Sequence, residues 1–224
     1  FSKKGYTTHK PILSLTSRHV ACKVPMVVEA VKDLPIDLQS KSTNLIFIMR
    51  DFHLADGVDR ILLNYFPNAR FLTIEKLTEG QASTCLLARE YFETDEPLMI
   101  AACDNGMKVS HDEFSTLSSE VDAIIFSFRG NEAVVNQPEA YGWIKTVGSN
   151  VVSDVSIKKS ISEAPKNDHA IVGTFWFRHG KDFFSAADDM IAAQDLINGE
   201  YYVDQVFRYL LRAGQDIRVM EVER

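Results

Sequence analysis

An aspartate, Asp104, closes the run Pro97-Leu98-Met99-Ile100-Ala101-Ala102-Cys103. An apolar run that stops at a carboxylate reads as a buried strand delivering Asp104 to the carboxyl edge of a sheet, where open α/β sheets bind ligands. A carboxylate so placed can hold Mg²⁺ through one oxygen while substrate phosphates and waters complete the octahedron. Asp104-Asn105-Gly106 is also a good turn sequence, so a turn role stands beside the metal role. Upstream, Thr78-Glu79-Gly80-Gln81-Ala82-Ser83 is a small-residue turn that opens an apolar helix. It offers backbone N–H groups and a side chain small enough to let a flat base approach, and Gly80 at a helix start suits an anion or a polar base edge. Thr78 with Gln81 three residues later also fits a capping box.

Lys10 is fixed by Pro11 ahead of Ile12-Leu13 and could meet a phosphate as a point charge. Most surface lysines are simply solvated, and the same holds for Lys158 and Lys159. Glu200 and Asp204 precede a helix whose N-terminus Asp204 would stabilise in any case. As a second metal ligand Asp204 would have to converge with Asp104. Tyr141 and Trp143 flank Gly142, where a sugar ring could stack; aromatics on strands are more often core, and Trp176 is read as core.

The elements that must position these residues follow from periodicity. Residues 44–49, 70–74, 123–128, 170–177 and 217–222 read as strands, joined by the run into Asp104. Residues 54–66 and 80–92 read as helices, and another begins at His111. Residues 141–147 and 151–157 flank Gly148-Ser149-Asn150 as a hairpin, and helices are expected over 181–197 and 201–213. Strand-helix alternation marks an α/β protein whose mostly parallel sheet is covered by helices. The later hairpin makes that sheet mixed. No repeat, low-complexity segment or linker divides the chain, so residues 1–224 are read as one domain.

The 224 residues are 46% hydrophobic, enough for a full core. With 24 Lys+Arg against 31 Asp+Glu the net charge is −7, which argues against nucleic acid or an acidic membrane as partner. No apolar run approaches the ~20 residues of a membrane helix, and no signal peptide opens the chain. Three cysteines without a CxxC pair suit a reduced, cytoplasmic protein. The six histidines show no zinc-like spacing, so a structural metal site is not expected.

Together these residues resemble those of the sugar nucleotidyltransferases (nucleoside-diphosphate-sugar pyrophosphorylases), and more narrowly the bacterial capsule and lipopolysaccharide branch. The similarity runs over nearly the whole chain. Phe1 to Leu13 resembles the end of the family's signature loop, with Lys10 at its signature lysine, and Lys23-Val24-Pro25-Met26 resembles the following Gly-Lys-Pro-Met segment. Thr78, Glu79, Gly80, Gln81 and Ala82 match the base-recognition turn, and Asp104 matches the metal aspartate. Lys158 falls where the family has a Glu-Lys pair, ahead of the strand holding Gly173; Asn198 to Tyr202 resembles the segment containing Glu200, followed by Asp204. The chain departs from the pattern in three places: His9 stands for a proline, Ile157 for the glutamate, and Asp204 is displaced by one residue. It also opens after the family's Gly-x-Gly-x-Arg loop, so an N-terminally incomplete copy is expected.

The resemblance implies a three-layer, Rossmann-like fold of the GT-A type, mixed but mostly parallel, with helices on both faces. It implies Mg²⁺-dependent transfer of a nucleotidyl group from an NTP to a sugar 1-phosphate or small phosphorylated alcohol, with release of pyrophosphate. Lys10, Asp104 and Lys158 would be catalytic, Asp104 and Asp204 would hold the metal, and Trp143, Gly173 and Glu200 would bind the sugar. A homo-oligomer is compatible with this. Two other readings stay open: a nucleotide-sugar-dependent glycosyltransferase of related fold, and a catalytically impaired nucleotide-binding protein.

Overall fold

The computed structural model describes residues 9–40 and 42–223; the resemblance over Phe1–Thr8 lies outside the described residues. The chain divides into two compact units, Phe1–Leu77 with Ala102–Val109, and Thr78–Ala101 with Ser110–Arg224. None of the described helices is long and apolar enough to cross a membrane.

In the first unit a short 3₁₀ turn, Lys10–Ile12, has Pro11 in its opening positions, where a missing N–H costs nothing. Strand β1 (Ser14–Thr16) pairs antiparallel with β2 (Lys23–Pro25), and helix α1 (Met26–Lys32) follows at once. Strand β3 (Ile46–Arg50) leads to α2 (Asp51–Ala55), α3 (Val58–Leu63) and β4 (Arg70–Ile74), which pairs parallel with β3. The expected helix over 54–66 is therefore two. Gly57 takes φ +74°, a left-handed conformation that ends one helix and starts the next. Val58, Leu62 and Phe66 pack with Val24, Val27, Val28, Val31 and Met49 in this unit's core.

The second unit holds α4 (Gln81–Leu86), α5 (Arg89–Phe92), β5 (Leu98–Ala101), α6 (His111–Glu120), β6 (Ala123–Phe128) and α7 (Ala133–Asn136). It continues with β7 (Gly142–Val147), β8 (Val151–Ile157), β9 (His169–Phe177), α8 (Gly180–Ala192), α9 (Val203–Arg212) and β10 (Ile217–Glu221). Its six strands lie in the order β5-β9-β6-β10-β8-β7, and β7 also pairs with β9.

A mixed α/β fold stands, but the mostly parallel sheet does not. Within this sheet only β6 and β10 pair in parallel; β5–β9, β6–β9, β10–β8, β7–β8 and β7–β9 are antiparallel. The strand-helix-strand unit β5-α6-β6 is real, yet its strands never touch. Strand β9, arriving from the later hairpin, runs between them against both. Local periodicity reports each element and is blind to a strand inserted from about fifty residues downstream.

Burial along β6 and β9 splits with period two. Ile125, Phe175 and Phe177 join a core closed by Phe183, Phe184 and Met190 of α8 and Val206, Phe207 and Leu210 of α9. The Phe207 ring lies 5.4 Å from Phe175 and 5.2 Å from Phe177. On the other side Phe114 of α6 stacks on Phe126 at 6.0 Å and meets Trp176 edge-on at 5.9 Å. Trp176 is core, as its strand position suggested.

Candidate functional site

In the first unit the Lys10 ammonium donates directly to Asp104 Oδ2, across 94 residues of sequence. Lys10 is presented by the 3₁₀ turn that Pro11 opens, and Asp104 by the turn that follows β5. Both side chains keep access to solvent, 47% and 27% exposed, so the pair can exchange its partners for ligands. Two residues singled out separately therefore form one charged group.

In the second unit the Thr78–Ala82 turn is clamped to the segment around Tyr201. The Tyr201 N–H donates to the Glu79 carbonyl at 2.7 Å, and the Ala82 N–H donates to the Tyr201 carbonyl at 3.0 Å. Gly80 has φ +112°, and a Cβ there would lie 2.5 Å from the Tyr201 carbonyl oxygen. Only glycine permits this backbone-on-backbone contact. The capping box does not form: α4 is capped by Gly80 with no side-chain bond. Thr78 Oγ1 instead donates to the Gly80 carbonyl at 3.1 Å and pairs with Thr84 Oγ1 at 2.5 Å. The turn's shape thus comes from the Tyr201 segment. Glu79 and Gln81 remain exposed on it, while Ala82 is buried.

Lys158 and Asp204 lie in the same unit, and the Lys158 charge acts on the Asp204 carboxyl. Lys158 ends β8 in the left-handed region, φ +58°, unusual for a non-glycine residue. Its N–H donates to the Tyr141 carbonyl at 3.1 Å and its Nζ to the Ala140 carbonyl at 2.9 Å. That Nζ lies 5.4 Å from the centre of the Tyr202 ring, a cation–π distance. Asp204 sits buried in the first turn of α9. Burial pushes its carboxyl up to about 6, against the pull of the Lys158 charge, the N–H groups of Asp204 and Gln205, and Arg208. Tyr202 is pushed up to about 12 by burial, then by its hydrogen bond to Glu200 and the nearby Asp204.

Trp143 is no stacking platform. Its ring is fully buried and its Nε1–H donates to the Pro138 carbonyl at 2.9 Å. It belongs to the core because β7 is covered on both faces at that point. Tyr141, half-buried, instead packs edge-on to Phe128 at 5.8 Å. Gly173 takes φ +93° where the β6–β9 register slips between Ile125 and Ser127, so it serves a bulge in β9. Glu200 is exposed on the turn that leads into α9, and Lys159 is exposed beyond Lys158.

Sequence reasoning missed Tyr202 and the role of Gly142. The signal was present for Gly142, since a glycine inside an aromatic strand marks a close approach. A Cβ there would overlap Asp204 Oδ2 and come within 2.9 Å of Ile171 Cδ1.

No protein-family profile and no curated protein matches this sequence. Solved structures do match. A nucleoside-diphosphate-sugar pyrophosphorylase from Vibrio cholerae RC9 superposes with a TM-score of 0.76 at 20% identity, covering 100% of this chain and 87% of its own. A provisionally assigned glucose-1-phosphate thymidylyltransferase from Bacillus anthracis gives 0.68 at 17% identity, covering 96% and 79%. The inositol-1-phosphate CTP transferase of T. maritima gives 0.67 at 12% identity, covering 97% and 79%. At these identities the likeness establishes the fold.

Proposed function

We propose that this chain is a sugar nucleotidyltransferase, moving a nucleotidyl group from an NTP to a sugar 1-phosphate or similar phosphorylated acceptor and releasing pyrophosphate. The observation that carries the reading is the direct pairing of Lys10 with Asp104, the two residues that the family resemblance makes catalytic. The likeness to nucleotidyltransferase structures adds to it, and because it spans both units it supports reading the chain as one domain of GT-A type.

In this reaction an acceptor phosphate oxygen attacks the α-phosphorus. The bond from that phosphorus to the bridging oxygen breaks, and pyrophosphate leaves with the electron pair. Positioning and charge neutralisation supply most of the rate. Lys10 offsets charge on the triphosphate, and Lys158 offsets charge on the acceptor phosphate. The Thr78–Ala82 turn takes the base, and Glu200 and Gly173 border the sugar. Asp104 and Asp204 are hard oxygen donors of the kind Mg²⁺ prefers, and Asp204 is a desolvated carboxylate that a cation would relieve. Mg²⁺ bound at Asp104 would supply charge neutralisation on the phosphate oxygens. The resemblance further supports a role in surface polysaccharide precursor synthesis, and the unpaired cysteines support a cytoplasmic one.

The test is pyrophosphate release with Mg²⁺ across a panel of NTPs and sugar 1-phosphates. Release with one pair, abolished by Asp104→Asn, is expected. Release of free nucleotide from a preformed nucleotide sugar would instead assign a glycosyltransferase. Tight nucleotide binding without turnover would assign a binding protein.

A further inference from the structure

We propose that His19, Glu29 and Asp33 form a binding site for a first-row divalent transition ion such as Zn²⁺, separate from the residues assigned to Mg²⁺. Among the described residues, these three have ligand atoms that all lie within 4.8 Å of one another. Glu29 lies on α1 and Asp33, four residues on, caps its C-terminus in helical conformation, so the two share a face. His19 comes from the loop between β1 and β2. All three lie in the first unit.

What points to a ligand is a buried, unsatisfied atom. Glu29 is 4% exposed, and its Oε2 has no hydrogen-bond partner. A buried carboxylate oxygen left without a partner is costly, and a cation is what would satisfy it. The remaining oxygens are already engaged in ways that orient the donors. Glu29 Oε1 accepts from the Arg18 N–H at 2.5 Å. Asp33 Oδ2 accepts from the Arg18 guanidinium and, at 2.9 Å, from the Met107 N–H. Asp33 Oδ1 and His19 Nε2 are hydrogen-bonded to each other at 2.8 Å, a contact a metal ion would replace, and Glu29 Oε2 has no hydrogen-bond partner.

The donor chemistry selects the ion. One imidazole nitrogen with two carboxylate oxygens suits Zn²⁺ or a neighbouring transition ion better than Mg²⁺ or Ca²⁺, which prefer oxygen alone. The carboxylates are buried, but the His19 side chain is 38% exposed, which leaves a path in and room for a water ligand. Arg18 stays as an outer partner, orienting both acids as the second shell of a metal site does.

Zn²⁺ titration of the chelator-treated full chain by calorimetry tests this. One equivalent is expected in the wild type and in Asp104→Asn, whose change lies at the Mg²⁺ residue. His19→Ala alters an exposed side chain, so it should fold, and should lose more than the ~10–100-fold in Zn²⁺ affinity that removal of an outer-shell partner costs. Glu29→Gln should do the same. Absence of binding in the wild type, or binding that His19→Ala leaves unchanged, would overturn the proposal.

Discussion

The Asp204 carboxylate occupies the space that a side chain at position 142 would need, so Gly142 and Asp204 define each other. A strand residue without a side chain lets the first turn of α9 press an acid against β7. Gly142→Ala must displace Asp204 or Ile171. It should lower stability by roughly 1–3 kcal/mol, the usual cost of overpacking, and activity should fall further than stability because a proposed metal ligand moves. Thermal unfolding and Mg²⁺-dependent turnover on the same sample check this. A variant with full activity would show that Asp204 is not needed where it stands.

Lys10 and Asp104 make a half-exposed pair, and such pairs contribute little to stability. Lys10→Met and Asp104→Asn should each change unfolding free energy by no more than ~1 kcal/mol. Turnover should drop by ~10²–10³-fold or more, as when a charge-stabilising group is removed from an active site. Denaturant melts set beside pyrophosphate release separate the two effects. Loss of folding instead of activity would return the pair to a structural role.

Tyr202 holds Lys158 through its ring face, not its hydroxyl. Tyr202→Phe keeps the ring and should keep the KM for the acceptor phosphate. Tyr202→Ala removes a contact worth ~0.5–2 kcal/mol, so the acceptor KM should rise by about two- to thirtyfold while the NTP KM stays near its original value. Equal losses in both variants would assign the hydroxyl and Glu200 instead.

His169 is buried against Ser127 Oγ, 2.9 Å from its Nδ1. Burial, and then the Arg129 charge, lower its proton affinity below the ordinary value of 6.5, against the opposing Glu221 and Asp168. Between the lowered folded value and 6.5 the unfolded chain binds more protons, so stability rises with pH there and is lost as pH falls. The melting temperature should decline from pH 7 toward pH 5, and His169→Gln should flatten that decline. An unchanged slope in the variant would remove His169 as its source.

Much was legible along the chain because it is local. The strands 123–128 and 151–157 and the start of α6 at His111 were read to the residue, since two-residue and 3.6-residue periodicities are written in adjacent side chains. The apolar run it closes singles out Asp104, whereas Lys10, Lys158 and Asp204 take their roles from the family resemblance.

The tertiary structure decided who meets whom. β9 entered between β5 and β6 and made a largely antiparallel sheet of an alternating sequence, because its apolar faces are buried only there. Trp143 went to the core for the same reason. The Tyr201 backbone, not a capping side chain, shaped the turn at Gly80. His19, Glu29 and Asp33 came together without a recognisable histidine spacing, since their ligand set is gathered from a loop and one face of α1. Residue types and periods set what each segment can be; burial of apolar area and satisfaction of polar atoms, which act across the fold, set the partners.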